Sequence, residues 1–104
     1  MDLSELQKRA KTVNDIYVDR FNLERDGLFL IGKLVEEVGE VTAAYLKLHG
    51  RARGADADRE SLRANFEDEM ADVLGFLLVL AEAEGVDLPA AFDKKWGKYL
   101  EPKL

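Results

Sequence analysis

Proline is missing from the first 88 residues of this 104-residue chain, and the two that occur, Pro89 and Pro102, both come late. Proline removes a backbone donor and breaks a helix interior, so its absence leaves nearly all of the chain free to be helical. No alternating apolar and polar run bounded by turn dipeptides competes with that reading, and the expected fold class is all-α. The spacing Leu3, Leu6, Ala10, Val13, Ile16 or Tyr17, Phe21 predicts a first helix over about 2–22, with a break at Asp26 and Gly27. A second helix is predicted over about 28–49, ended by Gly50 as a C′ residue. Residues 51–59 have no apolar face and read as a mobile connection. A third helix over about 60–84 stops at Gly85, and Pro89, close behind Asp87 and Leu88, opens a fourth over about 88–100.

Short links between the first two and the last two helices predict a four-helix bundle-type protomer, in one domain spanning 1–104. From Met70 to Ala81 every residue except Asp72 and Gly75 is apolar. A helix apolar almost all round must be covered on all sides. Three neighbours from so short a chain cover it poorly, so the fold is expected to be completed by oligomerisation, as a homodimer or homotetramer. The same run has 12 residues, too few for a membrane span of roughly 20. Cysteine is absent, which removes disulfides and cysteine-bound zinc as staples. With 15 Lys and Arg against 21 Asp and Glu the net charge is −6, which argues against nucleic acid or an anionic membrane as the main partner. Met1 to Glu5 shows no basic segment leading into an apolar one, and a cytoplasmic location is the default expectation.

The second helix carries an apolar stripe, Leu30, Leu34, Val41, Ala44 or Tyr45 and Leu48, interrupted by Glu37. In the third, Glu69 interrupts Leu62, Phe66, Val73, Phe76 or Leu77 and Leu80. Each interrupting acid has a companion three residues on, Glu40 and Asp72, on the same side of its helix about 5–6 Å away. Glu40 lies ten residues before Gly50 and Glu69 nine after Glu60, which puts them roughly 15 and 14 Å from the turn and level in an antiparallel hairpin. Four converging carboxylates repel one another unless protons or cations compensate. Oxygen donors without Cys or His suit Mg²⁺ or Mn²⁺. Di-iron bundles use Glu-x-x-His pairs; the single histidine, His49, follows no Glu at that spacing and reads as a partner for the C-terminal helix dipole.

The string Lys33-Leu34-Val35-Glu36-Glu37-Val38-Gly39-Glu40, a spacer of 28 residues and then Glu69-Met70-Ala71-Asp72-Val73-Leu74 resembles the MazG-like branch of the all-α nucleoside triphosphate pyrophosphohydrolases, whose signature is EExxE followed by ExxD. The likeness runs on through Gly85-Val86-Asp87-Leu88-Pro89 and a lysine-bearing last helix. The resemblance implies the all-α pyrophosphatase fold and Mg²⁺-dependent hydrolysis of a nucleoside triphosphate, between the α and β phosphates, to monophosphate and pyrophosphate. Such an activity would clear deoxynucleotides or non-canonical nucleotides from the pool. Carried over by position, Glu37, Glu40, Glu69 and Asp72 are metal ligands, and Glu36, Glu37 and Glu40 are the catalytic set, with Glu36 or Glu40 as base. Lys95 matches a lysine of the family's last helix, and where relatives carry an Asn about four residues later this chain has Tyr99.

Phosphates also attract basic groups, and Lys33, Lys94, Lys95, Lys98, Arg51 and Arg53 are candidates. Tyr17, Phe21, Phe76, Trp96 and Tyr99 are candidates for an aromatic base slot, with Trp96 placed to meet a partner subunit. Two other readings stand beside this one. Phosphoribosyl-ATP pyrophosphohydrolase shares the fold and the chemistry, and a non-catalytic helical dimer would use the acids for structure or for binding a partner.

Overall fold

The computed structural model describes residues 1–100, so the last four positions of the predicted domain, 101–104, lie outside the described residues. Four helices form: α1 (Leu3–Phe21), α2 (Gly27–Leu48), α3 (Arg59–Ala83) and α4 (Leu88–Trp96), the last tightening into a 3₁₀ turn over Gly97–Tyr99. No strand occurs among the described residues, and the fold is all-α as the sequence predicts. No described helix is long and apolar enough to cross a membrane.

Every helix starts on an aspartate. The carboxylates of Asp2, Asp26, Asp58 and Asp87 accept from the backbone N–H three residues on, at 2.9 to 3.1 Å, satisfying one of the free donors at each N-terminus. Gly50 and Gly85 take positive φ (72° and 67°) just beyond α2 and α3, the αL geometry that glycine adopts without steric cost. The break after α1 falls earlier than Asp26 and Gly27. Asn22 caps α1 at φ 51°, Asp26 is the N-cap of α2, and Gly27 is already helical. Residues 51–58 are also more organised than their composition suggests. Ala55 and Ala57 close hydrogen-bonded turns onto Ala52 and Gly54, and the Arg59 guanidinium donates to the carbonyl of Leu48.

α2 and α3 pair as an antiparallel hairpin, shown by Tyr45 against Phe66 (5.6 Å between rings) near the connection and Lys33 over Phe76 (5.6 Å) farther along. α1 lies on α3, and α4 packs chiefly on α1. Gln7 of α1, 5% exposed, holds the α3–α4 corner, donating to the Val86 carbonyl at 2.6 Å and accepting from the Leu88 N–H at 3.4 Å. The apolar core is small: Leu30, Ala44 and Leu48 from α2, with Leu62, Leu78, Val79 and Ala81 from α3.

The helices do not close around one centre. The radius of gyration is 16.8 Å, against about 13 Å for a compact chain of this length. The accessible surface is 8131 Å², against about 5,900 Å² for a folded monomer of this mass. Large apolar side chains are among what stays exposed. Leu28, Ile31, Val35 and Val38 form a second stripe on α2, pointing away from the core, and Met70, Leu74 and Leu77 stay open on α3. The stretch predicted to need cover on all sides is thus packed by α1 and α2 but left open by this chain along Met70, Leu74 and Leu77.

Candidate active site

α2 turns Glu37 into the hairpin between Leu30 and Ala44, and the residue is 9% exposed. α3 supplies Glu69, half-buried, and Asp72, exposed. One carboxylate oxygen from each of the three lies within 4.8 Å of the others. The helix ends explain the pairing: Glu37 is eleven residues before Leu48 and Glu69 ten after Arg59, so these two are level across the hairpin. Counting from Gly50 and Glu60 had put Glu40 there. Glu40 instead stands exposed one turn on, outside the trio but close enough for its charge to act on Glu69.

One cation reaches the acids of α2. Lys33 donates to Glu36 at 3.1 Å and lies 3.6 Å from Glu37. Those contacts, the Glu36 hydrogen bond foremost, hold the ammonium above its ordinary pKa. Glu69 is pushed upward by partial burial first and then by the charges of Asp72, Glu37, Glu40 and Asp68. Metal binding relieves this kind of strain, and the donor set is all carboxylate oxygen, with no nitrogen or sulfur. Glu37, Glu69 and Asp72 therefore fit a hard divalent cation.

A cleft of about 450 Å³ opens beside the trio, between α1 and α3. Asp72 and Lys33 form the part of its wall shared with the acids, and Tyr17, Phe76 and Asn14 line it further. Arg25, from the α1–α2 connection, lines it as well. The Arg25 guanidinium carbon sits 5.3, 5.5 and 5.8 Å from the ring centres of Tyr17, Phe29 and Phe76, and Nη1 donates to Asn14 Oδ1 at 2.9 Å. Arg25 Nε is buried with no hydrogen-bond partner. Sequence reasoning missed Arg25 and Asn14. Neither interrupts an apolar stripe, and only Arg25's place in a short loop between two aromatic-bearing helices could have signalled it.

The remaining candidates stand apart. Lys95, Lys98 and Trp96 are exposed on α4 and the following turn and line neither the cleft nor the trio; Trp96 stacks on Phe92, ring centres 5.7 Å apart. Arg51 and Arg53 are exposed in the α2–α3 connection. His49 ends α2 and its ring rests 4.2 Å from that of Tyr45.

The family model described as phosphoribosyl-ATP pyrophosphohydrolase matches residues 5–94. No curated protein and no solved structure matches the chain.

Proposed function

The chain belongs to the phosphoribosyl-ATP pyrophosphohydrolase family, within the all-α nucleoside triphosphate pyrophosphohydrolases, and from that premise we propose that it hydrolyses a nucleoside triphosphate to the monophosphate and pyrophosphate, using Mg²⁺. The family's chemistry is hydrolysis of an acid anhydride in a nucleotide. The finer reading names deoxynucleoside or non-canonical triphosphates as substrates and clearance of the nucleotide pool as the role. One observation carries it: the acid trio built around the buried Glu37 adjoins a cleft walled by two aromatic rings.

Glu37, Glu69 and Asp72 would hold the divalent cation, with Glu40 one turn along as a further ligand or as base. When bound, such a cation supplies Lewis acidity toward phosphate oxygens and makes a carboxylate cluster hospitable to a polyanion. Glu36 is engaged by Lys33. The Glu40 side chain is exposed and outside the Lys33 contacts, which leaves it free to take the proton of the attacking water. Lys33, between the trio and the cleft, meets the phosphate chain, and Tyr17 and Phe76 flank the base. Lys95, Lys98 and Trp96 reach a triphosphate only across an interface. The uncovered stripes on α2 and α3 support a homodimer or homotetramer that provides one.

Phosphoribosyl-ATP is the second reading, favoured by the family that matches. Both are tested by measuring pyrophosphate release from a panel of NTPs, dNTPs, modified nucleotides and phosphoribosyl-ATP, with Mg²⁺, with Mn²⁺ and with EDTA. Metal-dependent release from triphosphates upholds the first reading, and release from phosphoribosyl-ATP alone replaces it with the second. Silence across the panel from folded protein overturns both and leaves the non-catalytic helical module.

A further inference from the structure

Resting on the pyrophosphohydrolase reading for its ligand, we propose that Asn14 and Arg25 determine base specificity, selecting nucleobases that present two adjacent hydrogen-bond acceptors.

The donors come from the chemistry of the pair. A guanidinium only donates, so the oxygen of Asn14 is the atom that faces Arg25 Nη1, at 2.9 Å, and the Asn14 amide nitrogen keeps its two N–H groups for something else. Arg25 Nε–H is buried and unpartnered. Buried donors are nearly always satisfied, so this one, in a residue that lines the cleft, calls for an acceptor from outside the chain, water or ligand. The Tyr17, Phe29 and Phe76 rings, all within 6 Å, fix the plane of the guanidinium before any ligand arrives. Between Asn14 and Arg25 the wall therefore presents donors, the amide oxygen of the pair being turned to Nη1.

Polarity orients the ligand. Asp72 and Lys33 sit where the cleft meets the trio, so the phosphates lie at that end and the base lies between the rings, edge toward Asn14 and Arg25. Cytosine presents O2 beside N3, and guanine O6 beside N7, two acceptors in a row. Adenine sets an amino group beside N1 and N7, and uracil sets an N–H between its carbonyls. Either arrangement turns a donor toward a donor.

The test is calorimetric binding of CMP, GMP, AMP and UMP in the presence of Mg²⁺ to the wild type, Arg25→Met and Asn14→Asp, with pyrophosphate release from the four matching triphosphates scored alongside. Arg25→Met keeps the chain packed on the rings without donors; Asn14→Asp keeps the acceptor toward Arg25 and removes the amide donors. CMP and GMP should bind the wild type at least about tenfold more tightly than AMP and UMP, and either variant should erase that margin while moving AMP less than about threefold. Equal binding of all four by the wild type, or an equal loss for all four in both variants, overturns the assignment. The monophosphate preference without any hydrolysis would sink the proposed reaction and leave the specificity pair standing; hydrolysis without preference would do the reverse.

Discussion

Two places in this molecule put charge where a small helical protein would ordinarily put leucine, and they solve the problem in opposite ways. At the trio, carboxylates outnumber cations: Glu37, Glu69 and Asp72 face one another with Lys33 alone beside them. At the α1–α2 connection a single cation, Arg25, has no acid against it and is covered instead by three aromatic rings and one amide. The first arrangement leaves like charges facing one another and could hold a divalent cation. The second is nearly complete by itself, short of one acceptor. The difference separates a site organised to capture charge from a surface organised to hold a donor still.

Removing a carboxylate from the trio is the strongest way to break that contrast. Asp72→Asn, in the Mg²⁺ form, is expected to lower pyrophosphate release by more than the 10- to 100-fold typical of residues that only support a ligand, while the metal-free protein melts higher because one repulsion is gone. Wild-type turnover by this variant would remove Asp72 from the site. Glu69→Gln separates charge from shape. With its pKa raised above 4.5 in the folded protein, Glu69 adds stability that is present at low pH and lost as pH rises from that value through the folded one. The metal-free melting temperature should therefore fall over that window, Glu69→Gln should flatten the fall, and Mg²⁺ should raise the wild-type midpoint in proportion to the logarithm of its concentration above Kd.

Lys33 is the smaller lever on the same side. Lys33→Met deletes the cation that competes for Glu37, so the metal-free protein should lose up to about 1 kcal/mol, a few degrees of midpoint, and the rise produced by Mg²⁺ should grow. A smaller Mg²⁺ response than in the wild type would mean that Lys33 organises the trio rather than competing with metal for it.

The two regions also differ in how far they could be read from sequence. Glu37 and Glu69 each break a stripe of apolar residues at helical spacing, and periodicity exposes such a break without any structure. The first three helices are legible for the same reason, and the fourth from Pro89 close behind Asp87 at its start. The level of the acids was less so. A shift of one or two residues in each helix end moves the register by most of a turn, enough to exchange Glu40 for Glu37 opposite Glu69. Arg25 and Asn14 come together from a loop and a helix across eleven residues, and no period links them. Gln7 is opaque in the same way, because its partners Val86 and Leu88 lie at the other end of the chain. The stripe of Leu28, Ile31, Val35 and Val38 went unread in the sequence despite its heptad-like spacing, and the packing shows it open to solvent.

The finest test lies on the Arg25 side. Phe29 is one of three rings over the guanidinium, 39% exposed and absent from the lining of the cleft, so it can be changed without altering the wall a ligand meets. Phe29→Leu keeps an apolar side chain of similar reach and removes the ring's electrostatic attraction for the cation, worth about 0.5–1 kcal/mol at such a site. The expected result is a small drop in the midpoint of denaturant unfolding at constant slope, with Mg²⁺ response and pH dependence unchanged, since no carboxylate is touched. Should Phe29→Leu alter the metal response as much as Lys33→Met does, the two regions would be one coupled network, and the separation between capturing charge and holding a donor would have to be abandoned.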